Sequence, residues 1–190
     1  VREGSRNSGN YGPIGHRATD LSYSNSSSTG PSTHGATGYA STAMGYETFA
    51  GGDHSTAMGK WTVANGNTST ALGYETEAQG LYSTATGYKT IANGDYSTAM
   101  GYFTEANGDY STAMGGHSYA MKNHSTAIGW YSQAEGKASL AMGFVTKAKS
   151  YAETVIGRYN TDYTASNSDS WNDNDRLFVV GNGSSSSNLS

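Results

Sequence analysis

The fold of this chain follows from the stretch Ser97-Thr98-Ala99-Met100-Gly101-Tyr102-Phe103-Thr104-Glu105-Ala106-Asn107-Gly108-Asp109-Tyr110. This 14-residue unit occurs eight times without a gap between Ser41 and Ala152, and a ninth copy begins at Glu153 and ends after Gly157. Self-similarity at a short fixed period is typical of a solenoid, in which each repeat forms one coil.

Each repeat position defines a column of equivalent residues. The fifth column is Gly in all nine copies, and the twelfth is Gly in six of the eight complete ones. Two glycines seven residues apart predict two tight turns per coil, because Gly adopts left-handed backbone angles at low cost. Seven residues suit a short strand plus a turn, so we predict a β-solenoid with two strands per coil. The expected turn glycines of the fifth column are Gly45, Gly59, Gly73, Gly87, Gly101, Gly115, Gly129, Gly143 and Gly157.

Alternation within the first strand predicts which side chains point outward. Ser41, Ala43 and Gly45 are small and are expected inside the coil, whereas Thr42 and Met44 are expected outside. In the second strand, Thr and Ala are expected inside. An interior of Ala, Ser, Thr and Gly buries little apolar area to offset roughly 1–2 kcal/mol of backbone entropy per residue.

The outward residues of the fourth column are almost all apolar, although Thr86 interrupts them. A contiguous apolar stripe normally marks an interface, and we expect other copies of the chain to cover this one. The alternative is a flat ladder that faces solvent. The expected interface residues are Met44, Met58, Leu72, Met100, Met114, Ile128, Met142 and Ile156, with Thr42, Thr56, Thr70 and Thr98 from the second column.

The pattern Ser-x-Ala-(Ile/Met)-Gly-x-x-(Ser/Thr)-x-Ala-x-Gly resembles the head repeats of trimeric autotransporter adhesins, the YadA-like head. The resemblance implies an all-β fold, a single-stranded left-handed parallel β-roll with 14-residue coils, assembled as a homotrimer around a threefold axis. It also implies that the strand equivalent to 97–101 lies toward that axis. The family usually has Val and Ile where this chain has Thr42 and Met44.

The remaining sequence predicts three segments. Residues 1–40 are expected to form an irregular N-terminal cap with degenerate coils, with Ile14-Gly15 as a possible match to the fourth and fifth columns. Residues 41–157 form the roll of eight repeats and a partial ninth. Residues 158–190 are expected to form a C-terminal cap or neck-like segment that leads to a further downstream region. Within it, the apolar run 176–181 is expected to be a strand that closes the end of the roll, with Trp171 and Phe178 covering the last coil.

Composition narrows the functional classes. The chain of 190 residues has no Cys, which excludes a disulfide framework and a thiolate metal site. A net charge of -4 argues against nucleic-acid binding. No apolar run in this fragment is long enough for a membrane span. No catalytic constellation is apparent, so we expect no enzyme, no cofactor and no metal. The Gly-Asp turns at Asp53, Asp95 and Asp109 lack the nonapeptide of calcium-binding rolls.

Two further groups of aromatic residues are candidates for contacts. Aromatic residues in the sixth and fourteenth columns, such as Tyr102 and Tyr110, are expected to stack as ladders that stabilise the roll or offer an adhesive surface. Large residues outward of the second strand form the candidate binding surface: Phe49, Trp61, Phe103, Tyr119 and Tyr131. Glu75 and Lys89 are neighbours in one column and are expected to form a weak ion pair.

We therefore expect a non-enzymatic, extracellular, trimeric adhesin head at the cell surface, anchored in the outer membrane through a further C-terminal part of the protein or included in a secreted fibre. Its partners are expected to be its own copies and a protein or glycan of a host, matrix or neighbouring cell. The alternative is a rigid segment of a trimeric phage or injection-system tail fibre. A third hypothesis is an ice-binding solenoid that uses threonine ladders, one through Thr98 and one through Thr104.

Overall fold

A computed structural model describes residues 13–24 and 34–185 of the chain. In this part, two parallel sheets form the two sides of a flattened roll. The first sheet contains eleven five-residue strands: Thr19–Tyr23 (β1), Thr42–Tyr46 (β3), Thr56–Lys60 (β5), Thr70–Tyr74 (β7), Thr84–Tyr88 (β9), Thr98–Tyr102 (β11), Thr112–Gly116 (β13), Thr126–Trp130 (β15), Leu140–Phe144 (β17), Thr154–Arg158 (β19) and Phe178–Asn182 (β20).

The second sheet contains nine two-residue strands, and it runs beside the first from β2 to β18. Its strands are Gly35–Ala36 (β2), Phe49–Ala50 (β4), Val63–Ala64 (β6), Glu77–Ala78 (β8), Ile91–Ala92 (β10), Glu105–Ala106 (β12), Tyr119–Ala120 (β14), Gln133–Ala134 (β16) and Lys147–Ala148 (β18). Neighbouring strands of a sheet therefore come from successive coils. The described residues contain no helix.

The register confirms the repeat. Thr98 pairs with Thr112, Met100 with Met114, and Gly101 with Gly115, so each residue stacks on its equivalent 14 positions later. This pairing is parallel throughout both sheets, and the chain is an all-β parallel solenoid of 14-residue coils.

The interior consists of small side chains, as expected. Alanines of the third and tenth columns, such as Ala99 and Ala106, are fully buried, and so are the serines and threonines of the first and eighth columns, such as Ser97 and Thr104. The Ser41 hydroxyl donates a hydrogen bond to the Gly38 carbonyl. In the five coils from Thr48 to Thr104, the buried threonine hydroxyls of the eighth column have no protein hydrogen-bond partner, so the core contains polar atoms without compensation.

The left-handed backbone predicted for both glycine columns is present in the fifth column but not in the twelfth. Gly101, in the fifth column, has φ +123°, but Gly94, in the twelfth, lacks a left-handed φ. Its missing Cβ instead lets the backbone lie directly on Gly108 of the next coil. The non-glycine residues with left-handed φ lie in the seventh and fourteenth columns, for example Phe103 (φ 51°) and Tyr110 (φ 57°). Non-Gly residues tolerate this conformation for roughly 1–2 kcal/mol, whereas a Cβ cannot share space with a backbone carbonyl.

The first sheet begins inside the segment that was expected to be irregular. Strand β1 pairs with β3 in full register, with Leu21 beside Met44 and Ser22 beside Gly45. The chain between these two strands is longer than in a regular coil, and this difference hides the repeat in the sequence. Ile14-Gly15 does not occupy the fourth and fifth columns. Gly15 stacks on Gly38, which belongs to the twelfth column. The rest of segment 1–40, residues 1–12 and 25–33, lies outside the described residues.

The C-terminal segment also continues the first sheet. The closing strand expected at 176–181 is confirmed as β20, which pairs with β19 so that Val180 lies beside Ile156 and Gly181 beside Gly157. The expectation that Trp171 and Phe178 cover the last coil was wrong for the single chain, since they are 54% and 62% exposed. Trp171 instead donates its indole N–H to Asp173.

Polar side chains close the second sheet at its C-terminal end. The amide of Asn160 accepts a hydrogen bond from the Lys147 N–H (2.8 Å) and donates one to the Lys147 carbonyl (3.0 Å). It therefore pairs the edge of β18 as a further strand would. The fully buried Glu153 carboxylate accepts hydrogen bonds from the N–H groups of Lys149 and Ser150. Covered edges of this kind prevent strand addition by another chain.

Candidate interaction surfaces

The fourth-column residues lie on the outer side of the first sheet, where the sequence places them. Met44, Met100 and Met142 are 38–40% exposed in the single chain, whereas Met58, Leu72, Ile128 and Ile156 are half-buried. The strand register adds one apolar residue to each end of the fourth column, Leu21 and Val180, and we call each residue of the column a rung. The column therefore has eleven rungs and runs for about 48 Å at the spacing of stacked strands. We call this side of the first sheet, made by the second and fourth columns, the ladder face.

Sequence reasoning missed the two added rungs for different reasons. Val180-Gly181 matches the fourth and fifth columns and could have been recognised as a coil. Leu21-Ser22 has no glycine, and Asp20 occupies the third column where Ala is usual. The Asp20 carboxylate accepts hydrogen bonds from the N–H and hydroxyl of Ser22, so local polar contacts replace the usual small apolar side chain.

The two threonine columns have different environments. Thr42, Thr56, Thr70 and Thr98 are half-buried and flank the apolar rungs on the ladder face. In the eighth column, threonines such as Thr104 are fully buried, so this column presents no surface to a ligand. A Thr lattice of the kind that the ice-binding hypothesis needs would have to come from the ladder face alone.

Aromatic side chains border the ladder face on both sides. In the sixth column, at the strand ends, Tyr74 and Tyr88 stack with ring centroids 4.9 Å apart and 3° between planes. In the fourteenth column, before the strand starts, Tyr96 and Tyr110 stack at 4.9 Å and 2°. The ladders expected from the sequence are therefore present in the single chain, and most of their tyrosines remain exposed.

The five residues of the candidate binding surface do not all belong to the second strand. Phe49 and Tyr119 lie on β4 and β14 of the second sheet, as expected. Trp61, Phe103 and Tyr131 lie instead in the left-handed turn between the sheets, with φ of 56°, 51° and 55°. The sequence pattern suggested a longer second strand, but the turn takes up the seventh column.

Two grooves run between the turn and the second sheet. Phe49 and Trp61 line the first, of about 380 Å³, together with His34 and Glu47. Trp61 and Phe103 line the second, of about 400 Å³, where Glu77 and Glu105 contribute carboxylates. Trp61 is shared by both grooves and donates its indole N–H to Glu47 at 2.6 Å. Tyr119 lines neither groove, so the structure brings together only part of the predicted surface.

A continuous aromatic cluster lies C-terminal to these grooves. The His117 ring is stacked between Phe103 (centroids 5.2 Å apart) and Tyr131 (4.6 Å), and Trp130 meets it edge-on. Partial burial raises the pKa of the nearby Tyr119 hydroxyl, and Glu105 and Tyr131 add to this effect. The cluster and the grooves together make the turn side of the roll an aromatic region.

The predicted ion pair on this side is present. The Lys89 ammonium lies 3.0 Å from the Glu75 carboxylate, and this hydrogen bond raises the pKa of Lys89. At the C-terminal end, Lys149 lies 2.6 Å from Asp162. Although partial burial acts to raise it, the ammonium groups of Lys149 and Lys147 lower the pKa of Asp162. These charges hold the segment after β19 against the second sheet.

The carboxylates of the thirteenth-column aspartates accept hydrogen bonds from backbone N–H groups. Asp53 accepts a hydrogen bond from the Tyr39 N–H, Asp95 from the Leu81 N–H, and Asp109 from the Asp95 N–H, each on the preceding coil. They therefore link successive turns. Within residues 13–24 and 34–185, no three His, Asp or Glu side chains are placed to hold a metal ion. The same part of the chain contains no helix long and apolar enough to cross a membrane.

Comparison with known families gives a match over the regular coils. The family model of the YadA head domain repeat matches residues 36–60, 64–90, 92–118 and 122–145, together more than half of the chain. The chain belongs to the YadA head-repeat family. A search of curated proteins finds no match to it.

Membership of the YadA head family has general consequences. The family is a structural and adhesive component of cell-surface autotransporter adhesins rather than a family of enzymes. Its members form trimers and bind host factors. The turns, apolar column and stacked glycines of this chain are therefore features of a head domain.

Proposed function

We propose that the chain is the head of a homotrimeric surface adhesin, extracellular in location, with the ladder face buried between three copies. One observation carries this proposal: ten of the eleven rungs of the fourth column are apolar, Thr86 being the exception, and the column lies on the outer side of the single chain, exposed or half-buried. Monomeric proteins rarely expose so long a contiguous apolar surface to water. Family membership favours three copies rather than two.

The interior of the roll gives a second reason for assembly. Its buried side chains are mostly Ala, Ser and Thr, with Val155 the largest apolar one in the core. Each coil therefore buries little apolar area compared with the entropy that its ordering costs. Burial of Met100 and its equivalents against other copies supplies apolar area that the coil interior lacks.

A trimer with the ladder face inside leaves the second sheet and the turn side outermost. The candidate contact residues Phe49, Trp61, Phe103, Tyr119 and Tyr131 belong to this outer side. Aromatic side chains dominate the energetics of many protein interfaces. Three copies of each site on one rigid roll would bind multivalently, so that weak single contacts add up to firm attachment.

Adhesion can be measured with latex beads that carry the wild-type protein. We expect these beads to resist flow on an epithelial cell monolayer or on reconstituted basement-membrane matrix better than albumin-coated beads do. The double variant Phe49→Ser/Tyr119→Ser should reduce retention several-fold. The matched control Leu177→Ser, which removes an exposed apolar side chain from the C-terminal segment, should not. If wild-type beads are retained no better than albumin beads on both surfaces, adhesion is refuted, and a stiff segment of a trimeric fibre becomes the better account.

A further inference from the structure

Two rows of exposed side chains border the ladder face along its whole length. The strand-end row is the sixth column, with Tyr88 and Tyr102 at its centre, and the strand-start row is the fourteenth, with Tyr82 and Tyr96. These four side chains are 38–52% exposed. Six residues separate the two rows on each strand, or about 20 Å of extended chain. The rows therefore cannot contact each other within one copy.

The ring faces in both rows are already covered. Tyr82 and Tyr96 stack with 10° between planes, and Tyr88 and Tyr102 with 17°. A flat ligand such as a sugar ring needs an open aromatic face, but these ladders present ring edges and hydroxyl groups sideways. What can cover such a row is a surface with the same 14-residue repeat and the same rise per coil.

We propose that the strand-end row of one copy packs against the strand-start row of the next, so that the two rows form the three corners of the trimer. This inference rests on the proposed trimer and specifies how its copies meet. A rotation axis parallel to the roll carries each strand to the same height on the next copy. The three β9 strands then follow one another head to tail around the axis, with Tyr88 of one copy facing Tyr82 of the next.

The sizes of the residues in the two rows are complementary on some strands, whereas on others, such as Tyr82 with Tyr88, both residues are large. Three strands begin after an alanine in the strand-start row and end on a large side chain in the strand-end row. These pairs are Ala40 with Tyr46, Ala138 with Phe144, and Ala152 with Arg158. Within one copy the alanine and the large residue lie at opposite ends of the strand, so their pairing has no function there. At a corner, each alanine would leave room for the large side chain of the neighbouring copy.

The charged residues of the two rows are also compatible with contact between them. The chain has 15 Asp and Glu residues, but the two rows contain none of them. Within the nine regular coils, the Lys and Arg members of the rows, Lys60 and Arg158, would face His54 and Ala152 of the next copy. A corner would therefore bury no carboxylate, and depletion of charged residues is typical of the core of a protein interface.

Cysteine crosslinking tests the corners directly, because the natural chain has no Cys. The double variant His54→Cys/Lys60→Cys places one thiol in each row on strand β5. A bismaleimide with a two-carbon spacer is too short to join the two thiols within one copy. We expect it to link three copies into a covalent trimer on a denaturing gel.

Three control variants isolate the geometry. His54→Cys alone and Lys60→Cys alone should give no covalent oligomer, since equivalent residues lie at different corners. A dimer with two identical faces would instead crosslink one of these single variants. The mismatched pair Lys60→Cys/Tyr110→Cys, four coils apart or about 19 Å in height, should also remain uncrosslinked.

The outcomes separate the two proposals. A trimeric mass by light scattering without a covalent trimer from His54→Cys/Lys60→Cys would refute the corners and leave the trimer standing. Crosslinking of a single-cysteine variant, or of the mismatched pair, would refute them as well. A monomeric mass would refute the trimer itself and the corners with it.

Discussion

The two sheets of the roll have the same coils but opposite outer surfaces. Along the first sheet, the outward fourth column is Met, Leu or Ile in eight of its nine repeat positions, with Thr86 as the exception. Along the second sheet, the outward ninth column changes from Phe49 to Glu77, Ile91 and Lys147. The interior is the same behind both, with alanines fully buried on either side. The fourth column is therefore uniform, and the ninth column variable, because of what each sheet faces outside the coil in the proposed trimer: other copies of the chain for the first sheet and solvent for the second. This contrast can be tested.

The largest effect is expected when a charge is placed on the ladder face. Met100→Asp would bury three unpaired carboxylates around the axis, at roughly 3–5 kcal/mol for each uncompensated charge. We expect the protein to elute as monomer or to aggregate. The matched variant Ile91→Asp, on the second sheet, should leave the trimer intact because that position faces water. Light scattering on a sizing column measures both, and equal behaviour of the two variants would remove the distinction between the faces.

The next largest effect is expected on the free energy of unfolding, when a glycine from each half of the coil is replaced by alanine. In Gly101→Ala the new Cβ would overlap the backbone of Gly115, and the residue has φ +123°. We expect a loss of ~3 kcal/mol or more in the free energy of unfolding. Gly51→Ala would meet only the end of the Phe49 ring and the Asn65 side chain, and should cost less than about 1 kcal/mol because flexible side chains can move aside. Chemical denaturation of the two variants checks this order, and a Gly51→Ala variant as unstable as Gly101→Ala would contradict it.

The C-terminal edges of the two sheets also differ. Asn160 pairs both backbone groups of Lys147 at the edge of the second sheet. In Asn160→Ala these groups lose their partners, at about 1–3 kcal/mol, and the open edge can pair with another chain. We expect lower stability and oligomers larger than those of the wild type in sedimentation velocity. The exposed Asn174→Ala serves as the control. An Asn160→Ala protein with wild-type stability and mass would show that the edge needs no cap.

The smallest effect concerns the interior. The Thr76 hydroxyl is buried without a protein partner, so Thr76→Val removes an uncompensated polar group and keeps the shape. We expect the free energy of unfolding to rise by up to ~1 kcal/mol. Thr76→Ala should lower it instead, because a methyl group is lost from a close-packed site. A decrease of similar size in both variants would mean that the hydroxyl does have a stabilising contact in the folded protein.

Much of this architecture could be predicted from the sequence, because the repeat is regular. The coil length, the inward alanines and the outward Met100 column follow from spacing and alternation alone. The left-handed turn of the seventh column could not be predicted, since this column contains Trp61, Glu75, Lys89 and Phe103, which share no chemical type. Backbone geometry, not side-chain identity, defines that position.

The ends of the roll could be predicted only in part. Strand β1 joins the sheet with Thr19 beside Thr42, and β20 joins it with Phe178 beside Thr154. Both intervals are longer than the regular repeat, so pattern matching at that period does not give the register of either strand. The apolar run 176–181 does predict a closing strand, and β20 confirms it. The Asn160 amide imitates a strand through two hydrogen bonds, and nothing in the neighbouring residues identifies that function. Of the candidate binding surface, the aromatic residues were recognised, but their division between turn and strand was not.

The most direct test of the account is the mass of the wild-type protein in solution. Light scattering on a sizing column should give three times the 19.9 kDa of the chain, and the value should persist on dilution. This result would place the ladder face inside a trimer. A mass equal to that of one chain, stable on dilution, would contradict the account, because Met100 and its equivalents would then face water along the whole roll.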